Sequence, residues 1–357
     1  MTKREITVNH WGVGRARVLD GKLLDVGSHP ADAAPSPING NIASSLNGDA
    51  RVRYPAVRQG WLEHGPGAKA GRSALERGRE PFVQVSWDKA LDLLATELDR
   101  VRQQHGNESI YAGSYGWSSA GRFHHAQSQL KRFLNVCGGF VRSEGNYSYN
   151  AALGLMPHVI KNYREMVVEA TRWKVVAEQV DLVVMFGGIP MRSTQVSDGG
   201  IGRHRAADDM RACAEAGVRF INLSPLRTDA ADELGAEWLP PRPGSDTAVM
   251  MGLAHYLMAE GLHDQGFLER YTVGHEQVRA YLFGETDGIV KDLHWAADLS
   301  GLDASRLAAL ARDMAASRTL ITTTAGIQRA DFGEQPLWMT VTLAAVLGQI
   351  GQAGGFG

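Results

Sequence analysis

Three apolar runs constrain the fold more than any other feature of the sequence. They are "DLVVMFGG" (181–188), "VRFINLSP" (218–225) and "TLITTTAG" (319–326), each ending in glycine, proline or small residues. None alternates polar with apolar positions along its centre. Strands of that kind are covered on both faces. Between them lie "RHRAADDMRACAEAG", "DTAVMMGLAHYLMAEG" and "ASRLAALARDMAAS", which have helical spacing and lengths. Apolar strands alternating with helices predict an α/β fold, a parallel sheet with helices on both sides. No repeat of solenoid length interrupts this pattern.

An earlier block has the same grammar. "SWDKALDLLATELDRVRQQHG" puts Trp87, Leu91, Leu94, Leu98 and Val101 at helical spacing, with Ser86 as N-cap and Gly106 as stop. "SIYAGSY" reads as a short buried strand, "GWSSAGR" as the loop after it, and "HHAQSQLKRFLNVC" as a helix ending at Gly138-Gly139. Residues 1–60 are short and turn-broken, an irregular segment containing small strands or coil. "EHGPGAKAGRSALERGRE" (63–80) is a polar glycine-rich loop. The expected organisation is an N-terminal β/coil segment at 1–60 and a first α/β domain at 61–175. A second α/β domain follows at 176–330, and a helix at 331–357 returns toward further chain.

Composition removes several functional classes. A formal net charge of -2 provides no basic field for nucleic acid. No run approaches the ~20 apolar residues of a membrane helix. The N-terminus "MTKREITVNHWGVGRARVLDGKLL" has neither a signal-peptide core nor a twin arginine, so a cytoplasmic chain is expected. Cys137 and Cys213 are the only cysteines and form no CxxC pair, which speaks against a cysteine-held iron–sulfur cluster or zinc and for two reduced thiols.

In open parallel sheets, ligands bind at the loops leaving the carboxyl ends of strands. The candidate loops are 114–119, 187–193, 223–225 and 325–329, with 244–246 leading into a helix. Known fingerprints are missing from them. There is no GxxxxGK[ST], no GxGxxG after a first strand, no HExxH and no GxSxG. "FGGIP" and "GGIGR" match a dinucleotide loop only in part, so a nicotinamide-linked dehydrogenase ranks last. His124-His125 reads as a helix-surface pair rather than a metal site. "EGNYSYNAALGLMPH" (144–158) sets Ser148 between two tyrosines ahead of a small-residue helical pattern that stops at Pro157. That serine either caps the helix or carries chemistry.

"SYGWSSAGRFHHAQ" and "GGFVRSEGNYSYNAALGLMPHVI" together resemble the molybdopterin enzymes of the dimethyl sulfoxide reductase family. The likeness is greatest to the branch of biotin sulfoxide, trimethylamine N-oxide and dimethyl sulfoxide reductases. It extends through "HWG", "RVRYPAVRQGWL", "SWDKALDL", "PGSDTAVMMGLAH" and "FGEQPLWMTVTLAAVLGQIG", nearly the whole chain. The resemblance implies molybdenum held by two molybdopterin guanine dinucleotides, without an iron–sulfur cluster. It implies Ser148 as the protein ligand, matching the serine of a Gly-Asp-Tyr-Ser-Thr-Gly segment. A serine alkoxide is a hard donor suited to a high-valent metal.

By the same matching, Tyr115 and Trp117 are the catalytic pair that orients the oxide oxygen, and Gly116, Ser118 and Ser119 line the cofactor. Arg192 and Ser193 stand for a Lys-Thr pair near a dinucleotide, and Leu223 and Ser224 for Ile-Asp. Gly244, Ser245 and Asp246 match Gln-Thr-Asp. Ala325 and Gly326 match Trp-Ser, with Arg329 a nearby arginine. The implied reaction removes oxygen from an S-oxide or N-oxide with two electrons and two protons, supplied by a donor protein or a reduced nicotinamide system. Tyr149-Asn150 in place of Thr-Gly, Asn146 in place of Asp, Ser224 in place of an acid and Lys161 in place of a glycine depart from the pattern. "GQAGGFG" resembles an internal family segment, so a C-terminal portion is expected to be missing and the chain to be a fragment. The alternatives are a cofactor-free remnant that acts as a binding protein or is inactive, and another dehydrogenation or hydroxyl transfer on the same cofactor.

Overall fold

A computed structural model describes residues 3–66, 78–114, 125–197 and 200–356. They form two units, one of residues 1–144 with 196–203 and one of 145–195 with 204–357.

The first unit opens with an antiparallel meander of β1 (Lys3–Asn9), β2 (Gly12–Leu19) and β3 (Lys22–Ser28). Asp20 and Gly21 turn β2 into β3 with φ of 48° and 77°. This is the two-residue loop whose twist suits antiparallel neighbours. Helix α1 (Asn41–Asn47) follows, then β4 (Ala56–Arg58), α2 (Gln59–His64) and β5 (Phe82–Gln84), which pairs back on β4.

Helix α3 (Trp87–His105) has the expected ends. Ser86 Oγ accepts from Lys89 N at 3.2 Å, and Gly106 stops the helix with φ 74°. Its apolar positions are not buried. Trp87, Leu91 and Leu94 are exposed and no residue of α3 is buried. Local forces make this helix: the cap, Asp88 in the first turn, and the Glu97–Arg100 pair. Of the strand expected to be buried at 109–115, residues 109–114 are described, and among them only β6 (Tyr111–Ala112) is strand, paired in parallel with β7 (Val141–Arg142). Tyr111 and Val141 are exposed, because a two-residue ladder offers almost no face to cover. Between them α4 (Ala126–Val136) buries Leu134 and starts at half-buried His125, whose Nδ1 accepts from Ser128 N.

The second unit holds the sheet. After α5 (Asn150–Val159), α6 (Tyr163–Val168) and α7 (Trp173–Gln179), strand β8 (Leu182–Phe186) enters. It is followed by α8 (Ala206–Glu215), β9 (Arg219–Leu223), and β10 (Glu237–Leu239), a short strand with no signal in the sequence pattern. Helices α9 (Asp246–Ala259), α10 (Gln265–Tyr271), α11 (His275–Leu282), α12 (Leu293–Ser300) and α13 (Ala304–Ala316) precede β11 (Thr319–Thr323) and α14 (Glu334–Val346). The strands lie in the order β10-β9-β8-β11, all parallel. Leu182, Val184 and Phe186 point into a core built with α9, α12, α13 and α14. Val183 and Met185 point into a second core with α7 and α8. The α/β architecture is therefore as the sequence predicts.

Helix α5 runs past Pro157 to Val159 instead of stopping at it. The proline lies in the last turn, where its missing N–H costs one hydrogen bond and the backbone closes through Ile160 N and Lys161 N on Met156 O. Among the described residues no helix is long and apolar enough to cross a membrane.

Helix α9 packs closely on α12 at Gly252, where an added Cβ would stand 2.6 Å from Ala296 Cβ. Alanine improves intrinsic helix propensity by about 1 kcal/mol, while overpacking between two rigid backbones costs about 1–3 kcal/mol. Gly252→Ala is therefore expected to destabilise the chain by about 1 kcal/mol, read as a lower urea midpoint at unchanged slope.

Candidate cofactor and metal-ligand site

Strand β8 ends in Gly187 and Gly188, both with positive φ (86° and 74°). Gly187 N donates to Leu223 O at 2.8 Å, and Thr324 N donates to Phe186 O at 3.0 Å, so the chains leaving β9 and β11 close over the end of β8. A side chain at either glycine would overlap them. At Gly187 it would meet Thr324 Cγ2, and at Gly188 the carbonyl of Asp229. The doublet is a packing device, and it gathers three of the candidate loops at the carboxyl edge of the sheet.

The loop after β9 meets the loop after β8 through Asp229. Ser224 Oγ lies 2.5 Å from Asp229 Oδ2, and Arg192 forms an ion pair with Asp229 Oδ1 while donating to Thr228 O at 3.2 Å. The buried hydroxyl of Ser224 is thus tied to a carboxylate five residues on. Leu223 has its side chain wholly in the core and offers only its backbone to a ligand. Ser193 is exposed beside Arg192, with its amide donating to Pro190 O at 3.0 Å.

At the head of α9, Gly244 has φ 81° and open space where a Cβ would stand. Ser245 occupies the N-cap position, but its Oγ donates to Arg242 O at 2.6 Å instead of capping. Asp246 opens the helix. Burial holds its carboxyl above the ordinary value of 3.8, and it has no ion pair among the described residues. An uncompensated, half-buried carboxylate suits a neutral ligand edge that donates two hydrogen bonds.

Ser148 lies two residues ahead of α5. The N-cap position belongs to Tyr149, which makes no side-chain capping bond, and Asn146 Oδ1 accepts from Tyr149 N at 2.9 Å. Ser148 is therefore not the N-cap residue itself. Its carbonyl accepts from Gln328 Nε2 at 2.8 Å and from Arg329 Nε at 3.2 Å, both in the turn after β11. Gln328 Nε2 also donates to Ala325 O at 3.1 Å. The rings of Tyr149 and Tyr163 lie 5.5 Å apart, and burial followed by the Tyr149 neighbour raises the Tyr163 phenol while Arg329 opposes the shift.

The structure thus brings Ser148, Ala325, Gly326 and Arg329 into one cluster and joins Arg192 to Ser224 in another. Gly244, Ser245 and Asp246 form a third station at the head of α9. Tyr115, Gly116, Trp117, Ser118 and Ser119 lie outside the described residues. Sequence reasoning missed Asp229 and Gln328. The replacement of an acid by Ser224 was a signal for Asp229, since an acid lies nearby in the same loop. Gln328 had none.

Residues 51–357 match the family described as molybdopterin oxidoreductase, and residues 7–46 match the molybdopterin oxidoreductase N-terminal domain. The chain belongs to the molybdopterin oxidoreductase family. It is 44% identical over 349 residues to a dimethyl sulfoxide/trimethylamine N-oxide reductase of Cereibacter sphaeroides, covering 98% of this chain and 42% of the relative. A biotin sulfoxide reductase of the same organism is 44% identical over 91% of this chain and 43% of its own length. A trimethylamine-N-oxide reductase of Haemophilus influenzae is 38% identical over 99% of this chain and 42% of its own. The chain spans about two fifths of the length of these relatives. Among solved structures, acetylene hydratase from Pelobacter acetylenicus has the same fold, with a TM-score of 0.63 at 21% identity over 98% of this chain and 44% of that one.

Family membership brings molybdenum–molybdopterin chemistry, and the side chains present are compatible with it. A hard oxygen donor stands ahead of α5, and at the head of α9 an unpaired carboxylate lies beside a glycine with open space. One consequence is measurable in the cofactor-free chain. Because the folded-state pKa of Asp246 is raised, the native state holds the extra proton between the unfolded and folded values, and stability falls as pH rises through that window. Asp246→Asn removes this penalty. The variant is expected to melt above wild type at neutral pH, with the difference vanishing as pH falls to the ordinary value of 3.8. Scanning fluorimetry across the acid range checks it.

Proposed function

We propose that the chain is the N-terminal part of a bis(molybdopterin guanine dinucleotide) reductase that removes oxygen from an S-oxide or N-oxide. The observation that carries this reading is the fixing of Ser148, ahead of α5, by two adjacent donors from the turn after β11. The names of the similar proteins, sulfoxide and amine N-oxide reductases at 38–44% identity, support the substrate class.

Bound here, the cofactor supplies the two-electron couple of the reaction, sulfoxide plus two electrons and two protons giving sulfide and water. The chain's own residues bind and orient. Ser148 Oγ is the protein's ligand to molybdenum, and coordination keeps it deprotonated without a neighbouring base. Asp246 accepts the ring N–H and exocyclic amine of one guanine, beside the backbone of Gly244 and Ser245. Arg192 and Ser193 stand along a dinucleotide, with the Ser224–Asp229 pair holding Arg192 in place. Tyr115 and Trp117 donate hydrogen bonds to the oxide oxygen, stabilising charge as its bond to sulfur or nitrogen breaks. Gly116, Ser118 and Ser119 line the pterin side. No iron–sulfur cluster enters this scheme. The electrons come from a donor protein or a reduced nicotinamide system.

Ser148→Ala tests the central assignment. In molybdenum-loaded protein it is expected to remove one oxygen neighbour from the metal's X-ray absorption spectrum. Turnover of dimethyl sulfoxide should fall by at least about tenfold, the smaller end of what losing a metal-site contact costs. An unchanged oxygen shell would overturn the reading.

A further inference from the structure

Gln328 sits in the turn after β11 with 6% of its surface exposed. Both ends of its carboxamide are hydrogen-bonded. Oε1 accepts from Ala151 N at 2.9 Å, and Nε2 donates to Ser148 O at 2.8 Å and to Ala325 O at 3.1 Å. Two carbonyls on one side and an N–H on the other leave only one orientation for the amide.

Ala151 is the second residue of α5, so its N–H is one of the donors that a helix leaves without an internal partner. A side chain at the N-cap ordinarily accepts it. Here Tyr149 makes no such bond, and Gln328 takes over from 177 residues away. The same side chain holds the carbonyl of Ser148, three residues before the N–H it caps. One buried amide therefore spans the Ser148–Ala151 backbone at both ends. Arg329, the next residue, adds a second donor to the same carbonyl.

The turn that presents Gln328 is itself fixed. Thr324 Oγ1 accepts from Gly326 N at 3.2 Å, and Thr324 N is bonded to the end of β8. Gly333 lies so close to the Gln328 carbonyl that a Cβ there would overlap it. The anchor thus joins the sheet edge to the ligand segment through a short, packed path.

We propose that Gln328 is a positioning residue for Ser148, setting the backbone from which the serine reaches the metal. This rests on Ser148 being the ligand. The role needs a donor and an acceptor in one planar group of this length. Asparagine falls short of the span, and glutamate presents oxygen to two carbonyls.

Hydrogen exchange of the cofactor-free wild-type chain is the first test, because it needs neither variant nor metal. The Ala151 amide is expected to be protected despite its place in the first turn, and fast exchange there would overturn the proposal. In Gln328→Ala its exchange should rise about tenfold, the worth of one hydrogen bond of this class. Gln328→Glu keeps the acceptor, so the Ala151 amide should stay protected while the hold on Ser148 is lost. In molybdenum-loaded protein both variants should load metal yet shift the Mo(V) paramagnetic resonance signal. Both should lower kcat for dimethyl sulfoxide about tenfold, with KM within about twofold. A wild-type signal and kcat in whichever variant folds would overturn the role of Gln328. Ser148→Ala, recorded alongside, separates the two ideas. If it alters the spectrum and the Gln328 variants do not, only the positioning role falls. If it leaves the metal unchanged, the ligand assignment fails and the positioning role with it.

Discussion

Strand β8 has no face left for water. Its five side chains are all buried, alternately into the core under α9, α12, α13 and α14 and into the core under α7 and α8. The rest of the second unit follows from that requirement. A strand apolar on both sides must be covered twice, which forces helices onto each face and leaves only the strand ends free for chemistry. Gly187-Gly188 then makes the carboxyl end usable. With no side chains there, the chains leaving β9 and β11 can close to van der Waals distance, and their polar residues meet.

What the sequence reveals tracks how local the cause is. The strands β8, β9 and β11 were legible because each is a continuous apolar run, and the ends of α3 because Ser86 and Gly106 act within one turn. The exposure of the α3 stripe was not, since amphipathic spacing reports what a helix could bury and not whether anything covers it. The persistence of α5 through Pro157 was missed for a geometric reason. A proline in the last turn forfeits a single bond, whereas in mid-helix it also clashes with the turn behind. The Asp20-Gly21 hairpin went unread within a segment taken only as turn-broken strands or coil. Three-residue β10 carries no pattern long enough to read.

At the candidate site the same division holds. Of the residues matched one by one to a family pattern, the described ones fall at strand ends and helix starts, as an open parallel sheet requires. The links between them run through side chains the pattern does not single out. Asp229 joins Ser224 to Arg192, and Gln328 joins Ala325 to Ser148. Asp246 differs in kind. It is held in a half-buried place without a cation, at a cost to the folded chain. Such costs cluster where a ligand is to be received.

The long separation between Gln328 and the segment it holds bears on the order of assembly. The Ser148 backbone is bound by a residue 180 positions further along, so a loop of that size must close before the segment is set. As the chain leaves the ribosome, α5 emerges well before the turn after β11 exists. The stretch around Ser148 therefore acquires its final geometry late, only after the whole parallel sheet has been synthesised.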